Sequence, residues 1–276
     1  MSSLVSTEWL AAHLHDVRVV DASWYMPNEQ RDPVAEFEAA HIPGAVHFDI
    51  DAIADRSTDL PHMLPTPENF ATAVGALGIG NGDMVVVYDG SGIFSAPRVW
   101  WMFKAMGHDQ VKVLDGGLPK WKREGRALES GSARPSAQSF RATPRPGIVR
   151  NFGEVMDVVQ HRSAQIADAR SPGRFTGSEA EPRAGVRGGH MPGAVNVHFR
   201  TLLTDGSFKP PAQLREIFAA AGVDVQKPIV TSCGTGVTAA ILMLALDDIG
   251  ARDLALYDGS WTEWGARSEA PVVKEA

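Results

Sequence analysis

The chain repeats itself. His41-Ile42-Pro43-Gly44-Ala45-Val46 returns as His190-Met191-Pro192-Gly193-Ala194-Val195, Val20-Asp21-Ala22 as Ala167-Asp168-Ala169, and Leu114-Asp115-Gly116-Gly117 as Tyr257-Asp258-Gly259-Ser260. The offsets fall between 143 and 149 residues, about half of the 276 present. A constant offset of that size implies two homologous halves of about 130 residues, each large enough for its own core. We expect a first domain over 1–128, a linker over 129–146 and a second domain over 147–276. The linker begins in Glu129-Ser130-Gly131-Ser132-Ala133-Arg134-Pro135-Ser136, a polar stretch of turn formers.

Each half alternates strand and helix signals. Val17–Asp21, Met84–Tyr88 and Val111–Leu114 are short β-branched runs, and 96–106 between the last two reads as helix. In the second half Gln165–Ala167, Ile229–Thr231 and Leu254–Leu256 are the matching runs. Continuous apolar runs of this kind suit strands covered on both faces, and alternation with helices implies an α/β fold. The expectation is a mainly parallel sheet flanked by helices in each half, with ligands at the carboxyl ends of the strands.

One such end carries the only cysteine. Cys233 follows Pro228-Ile229-Val230-Thr231-Ser232 and precedes Gly234-Thr235-Gly236-Val237-Thr238, after which Ala239-Ala240-Ile241-Leu242-Met243-Leu244-Ala245-Leu246 is good helix. A lone cysteine is commonly an inert buried hydrophobe. A thiol at a strand–loop–helix junction is different, because loop N–H groups and the helix dipole favour its thiolate. Two glycines in the loop mark a backbone that turns sharply or lies close to a ligand. The repeat aligns Asp89 with Cys233, and Gly90-Ser91-Gly92-Ile93 with Gly234-Thr235-Gly236-Val237. A carboxylate cannot do thiolate chemistry, so the second half is expected to hold the nucleophile and the first to be non-catalytic.

Composition narrows the remaining choices. A net charge of −7 argues against general nucleic-acid binding, and no apolar run reaches membrane-spanning length. The N-terminus lacks the pattern of a secretory signal. One cysteine excludes an intramolecular disulfide and a cysteine-cluster metal site, and the nine histidines show no metal-ligand spacing. We therefore expect no metal, no cofactor, no nucleic-acid or membrane partner, and a reducing cytoplasm.

Together the two-half layout, the His-x-Pro-Gly-Ala repeats and the cysteine loop resemble tandem rhodanese-type sulfurtransferases over nearly the whole chain. Within that family, Cys-Gly-Thr-Gly-Val-Thr resembles the 3-mercaptopyruvate sulfurtransferases. Thiosulfate-preferring members carry basic residues after the cysteine, where this chain has Gly234 and Thr235. The resemblance implies a persulfide on Cys233, held by loop N–H groups of Gly234, Gly236, Val237 and Thr238. It implies that Arg174 and Arg183, in Gly173-Arg174-Phe175 and Glu181-Pro182-Arg183, grip the substrate's carboxylate and carbonyl oxygens. It further implies a proton relay through Thr235, His62 and Asp51, the last two in Phe48-Asp49-Ile50-Asp51 and Pro61-His62-Met63. Threonine for the more usual serine keeps the hydroxyl but restricts its rotamer. The implied donor is 3-mercaptopyruvate, and the implied acceptors are small thiols, thioredoxin-like proteins or cyanide.

Three alternatives stay in view: a thiosulfate:cyanide sulfurtransferase, a cysteine phosphatase or arsenate reductase, and a non-catalytic binding pair. A phosphatase needs Cys-x5-Arg, and that position is Ala239. A binding pair has no use for Arg174, Arg183 and Cys233 together. The run Gly78-Ile79-Gly80-Asn81-Gly82-Asp83 precedes a strand and reads as a turn, not a dinucleotide loop. Trp100, Trp101, Trp261 and Trp264 read as packing residues, and His41 and His190 as structural parts of the repeat.

Overall fold

A computed structural model describes residues 2–132 and 135–275. The runs at 17–21, 84–88, 111–114, 165–167, 229–231 and 254–256 are strands, and 96–105 and 239–248 are helices. The first half contains β1 (Leu4–Val5), α1 (Thr7–His13), β2 (Val17–Asp21), α2 (Pro33–Ala39), β3 (Val46–His47), α3 (Pro67–Ala76), β4 (Met84–Tyr88), α4 (Ala96–Ala105), β5 (Val111–Leu114) and α5 (Gly117–Arg123). The second half contains β6 (Val149–Arg150), α6 (Phe152–His161), β7 (Gln165–Asp168), α7 (Pro172–Thr176), β8 (Ala194–Asn196), the hairpin strands β9 (Leu203–Thr204) and β10 (Ser207–Phe208), α8 (Pro211–Ala220), β11 (Ile229–Ser232), α9 (Ala239–Asp248), β12 (Leu254–Tyr257) and α10 (Ser260–Ala266).

Two five-stranded sheets result, in the orders β1-β5-β4-β2-β3 and β6-β12-β11-β7-β8. Every pairing in both is parallel. From β7 the chain moves outward to β8, and from β11 it moves the other way to β12. The order therefore reverses between β7 and β11, and in open parallel sheets the carboxyl ends of strands at such a reversal are where ligands bind. The same reversal lies between β2 and β4 in the first half. Helices α4 and α9 follow the reversing strands. Ala239 to Leu246 of α9 are all buried, and in α4 only Lys104 is not. A helix apolar on every side has no solvent face to present.

The His-x-Pro-Gly-Ala repeat is a structural device in both halves. Pro43 and Gly44 occupy the corners of a tight turn closed by Ala45 N–H on Ile42 C=O at 3.0 Å, with Gly44 at φ +74°. Pro192 and Gly193 (φ +79°) do the same, closed by Ala194 on Met191 at 3.0 Å. His41 Nδ1 donates to Phe37 C=O and its ring stacks on Phe37 at 4.1 Å. His190 repeats both contacts with Phe175, its ring at 4.0 Å. The tryptophans are core: Trp100, Trp101, Trp261 and Trp264 are each at most 1% exposed. The glycine run 78–83 is a turn into β4, with Asp83 N–H on Gly80 C=O and the Asp83 carboxylate on Gly80 N–H.

The chain divides into two compact units: residues 1–55, 64–145 and 205–208, and residues 56–63, 146–204 and 209–276. Each half thus lends a segment to the other unit. Asp205–Phe208 belongs to the first unit. There Phe208 N–H donates to the Asp115 carboxylate at 3.0 Å, and Gly206 lies where a Cβ on Gly92 would stand. Residues 129–145 of the expected linker are also part of the first unit. Glu129 pairs its backbone with His41, Gln138 N–H donates to Gly75 C=O, and Thr143 and Arg145 donate to Met106 and Ala105. Phe140 is 7% exposed and packs edge-on against Phe70 and Phe103. The polar composition marked a connection, but enough backbone and apolar contacts follow it to lay it down along the unit. Ala133 and Arg134, within that linker, lie outside the described residues.

Candidate active site

Cys233 stands immediately beyond β11, where the strand order reverses. Its backbone is clamped on both sides: Trp261 N–H donates to its C=O at 2.9 Å, and its own N–H donates to Ser260 Oγ at 3.2 Å. The side chain turns under the loop, and Gly236 N–H donates to Sγ at 3.2 Å. Gly236 is at φ +84°, a left-handed conformation that lets the loop double back over the sulfur. Cys233 is 2% exposed, Val237 is buried, and Thr235 and Thr238 are half-buried. The first turn of α9 then closes with Ala240 on Val237 and Ile241 on Thr238.

The strand beside β11 contributes a charged cluster. β7 ends at Asp168, whose carboxylate accepts Arg170 N–H and the Arg170 guanidinium, the closest contact at 2.6 Å. Arg170 is fully buried, lies 4.2 Å over the Trp261 ring, and reaches Glu181 through Nη1 at 2.8 Å. Glu181 in turn receives a forked contact from Arg174, Nε at 3.1 Å and Nη2 at 2.5 Å. Two acids and two guanidiniums alternate, so the buried charges are compensated and hydrogen-bonded. Arg174 is the partly open end of this chain, 20% exposed against 4% for Glu181. A Cβ on Gly234 would stand 3.1 Å from Arg174 Nη2. The missing side chain at Gly234 therefore gives the guanidinium its place against the cysteine loop.

The first unit shows what the same loop does with a carboxyl group in place of the thiol. Asp89 sits beyond β4 as Cys233 sits beyond β11, and Leu118 N–H grips its C=O at 3.0 Å. Its carboxylate accepts N–H bonds from Ser91, Phe94, Ser95 and Ala96 at 2.8–3.0 Å. Burial pushes the Asp89 carboxyl above the usual carboxylate range, against the pull of those amides. The loop is thus an anion nest filled by its own side chain, and in the second unit the Gly236 N–H of the aligned loop donates to a thiol instead. Replacing Asp89 by alanine leaves buried amides without their acceptor and is expected to cost about 2 kcal/mol of stability. A urea midpoint equal to that of the unaltered protein contradicts this role.

The other expected site residues are placed as follows. His62 is 7% exposed and belongs to the same compact unit as Cys233, in the lent segment Arg56–Met63. Its backbone is left-handed, φ +61°, a strained setting for a non-glycine residue. Asp51 is exposed and belongs to the first unit, where its carboxylate accepts Trp24 Nε1–H at 2.9 Å. Arg183 is exposed on the bend after Pro182, its C=O accepting Val186 N–H at 3.4 Å. The geometry adds three residues that motif reading passed over. Arg170 and Glu181 tie Arg174 in place, and Ser260 holds the cysteine's amide. Their signals were a surplus arginine where the first half has Ser23, an acid within the quoted Glu-Pro-Arg stretch, and serine where the first half has Gly117.

Among the described residues no group of histidine, cysteine, aspartate and glutamate is arranged to hold a metal, and no helix is long and apolar enough to cross a membrane. A family model described as rhodanese-like domain matches residues 6–124 and 152–267. The chain is 45% identical to the thiosulfate/3-mercaptopyruvate sulfurtransferase 1, mitochondrial, of Arabidopsis thaliana, covering 98% of this chain and 77% of that one. It is 44% identical to the 3-mercaptopyruvate sulfurtransferase of Homo sapiens, covering 98% and 94%. The crystal structure of SseA from Escherichia coli superposes with a TM-score of 0.87 at 40% identity, covering 95% of this chain and 99% of that one.

Proposed function

The chain belongs to the rhodanese-like family of sulfurtransferases, and from that premise we propose that it takes the sulfur of 3-mercaptopyruvate onto Cys233 and passes it to a thiol or to cyanide. The observation that carries this reading is the Cys233 thiol under the Gly236 N–H, in a loop without a basic residue, with the Arg174 guanidinium beside Gly234.

In the first half-reaction the Cys233 thiolate attacks the sulfur of the donor. A sulfur–sulfur bond forms and the donor's carbon–sulfur bond breaks. The electron pair of that bond becomes the pyruvate enolate, and the proton from the donor's thiol ends on its methylene carbon. The products are pyruvate and an anionic Cys233 persulfide. Arg174 and Arg183 stabilise the donor carboxylate and the developing enolate oxygen, and the loop amides of Gly234 to Thr238 hold the persulfide. Thr235, His62 and Asp51 are the groups we assign to proton movement. In the second half-reaction an acceptor thiolate or cyanide attacks the outer sulfur and Cys233 leaves as thiolate. A small thiol or a thioredoxin-like protein meets that requirement, and a reducing compartment such as the cytoplasm keeps the lone thiol available.

Intact-protein mass spectrometry of the reduced protein with 3-mercaptopyruvate or thiosulfate, with pyruvate assayed in parallel, tests this reading. One sulfur gained on Cys233, matched by pyruvate, is the expected result. A gain from thiosulfate alone would overturn the donor and leave the family standing, and thiosulfate is named with 3-mercaptopyruvate for the Arabidopsis relative. No gain from either would overturn the reaction.

A further inference from the structure

Ser260 holds a backbone conformation that serine seldom adopts. It is left-handed at φ +49°, fully buried, and opens α10, while the first half has Gly117 at the equivalent position with φ +52°. In the first unit no side chain fits there: a Cβ on Gly117 would stand 2.4 Å from Gly92 O and 2.6 Å from Asp89 O. The second unit has the same turn and the same clamp on the preceding loop, yet has made room for a hydroxymethyl group. Strain of this kind persists where the surroundings hold it in place, and it concentrates at functional sites.

The hydroxyl has two hydrogen bonds. It donates to Tyr257 C=O at 2.8 Å and accepts the Cys233 N–H at 3.2 Å. It therefore ties the nucleophile's amide to the end of β12, while Trp261 N–H holds the nucleophile's carbonyl. Residue 233 is gripped at both peptide planes, which fixes the Cα–Cβ direction from which the sulfur reaches Gly236 N–H. Asp89 has no such serine, and its side chain is held by four amides instead. The sulfur of Cys233 accepts one such bond, from Gly236 N–H, so its orientation leans more heavily on the backbone behind it.

We infer that Ser260 is a positioning residue for sulfur transfer: its hydroxyl fixes the Cys233 peptide so that Sγ keeps its alignment through both half-reactions. The inference rests on Cys233 as the nucleophile. It concerns the rate of transfer and not the binding of the donor.

Two variants test it. Ser260→Gly adopts the first unit's own solution, relieves the left-handed strain and removes the hydroxyl. Ser260→Ala removes the hydroxyl and keeps the strain. The expected result for Ser260→Gly is a melting temperature at or above that of the unaltered protein and a tenfold or larger fall in kcat for pyruvate release. KM for 3-mercaptopyruvate should stay within about threefold. Rapid-quench measurement should place the loss in formation of the persulfide at Cys233. Ser260→Ala should lose kcat similarly at a lower melting temperature. A folded Ser260→Gly variant with kcat within twofold of the unaltered protein overturns the inference. So does a fall in kcat that follows lost stability in both variants, or a loss confined to KM. Sulfur uptake by the unaltered protein in the same experiment reports separately on the reaction itself, so failure of that reading is distinguishable from failure of this one.

Discussion

Cys233→Ser ends sulfur uptake and leaves the fold in place. The thiol joins no disulfide, and its one hydrogen bond, from Gly236 N–H, is equally available to a hydroxyl oxygen. The backbone clamps from Trp261 and Ser260 do not involve the side chain. The variant therefore melts within a few degrees of the unaltered protein, as expected for a near-isosteric change. An alkoxide at that position is inaccessible near neutral pH, and an alcohol has no pathway to a stable sulfur–sulfur analogue. Donor-dependent pyruvate release should fall by at least about 10⁴-fold, the scale seen when a covalent nucleophile is removed. The checking measurements are pyruvate release and intact mass after exposure to donor. Turnover retained at even about one part in a hundred would mean that another group carries the sulfur, and the persulfide scheme would fail.

Arg174→Ala carries the second largest expected effect, a fall of about 10²–10³-fold in kcat/KM for 3-mercaptopyruvate. Arg174 is the one member of its charge cluster that is partly open, and it lies against Gly234. Its removal takes away a forked donor where the donor's anionic groups are expected. The fold should survive, because Glu181 keeps Arg170 at 2.8 Å and Arg170 keeps Asp168 at 2.6 Å. The stability cost is about 1–3 kcal/mol, for a buried carboxylate that loses one of two partners. Arg174→Lys keeps a charge without the fork, so it should recover only part of the activity. Steady-state kinetics on both variants decide the point. An alanine variant with kcat/KM within about fivefold of the unaltered protein would leave Arg174 with a structural role only.

The strands were legible because parallel sheets covered on both faces demand continuous β-branched runs, and Val85-Val86-Val87 and Ile229-Val230-Thr231 supply them. The cysteine loop was legible because glycine at 234 and 236 has few reasons to interrupt a strand–helix junction. What escaped was information held by partners and not by periodicity. Glu181 reads as an ordinary surface acid until Arg170 and Arg174 close on it. Serine is not a left-handed residue by habit, so only its alignment with Gly117 hinted at the backbone of Ser260. The path of the linker along the first unit was not legible because polar residues dominate its composition. Phe140, an apolar residue that anchors it, carries little weight in a composition count. Asp89 was set apart from Cys233 by charge alone, but its four amide contacts, and therefore the nest itself, needed the folded backbone.

The lent segments give the duplication a consequence for how the molecule can be taken apart. Severed in the stretch that joins its halves, the chain would yield a C-terminal fragment without Arg56–Met63, and so without His62, and an N-terminal fragment without Asp205–Phe208. Neither product would contain all of one compact unit. The two copies are still similar in sequence and in sheet order, but they are no longer interchangeable modules. A shuffled, inverted or single-copy version would have to supply the missing strip from elsewhere.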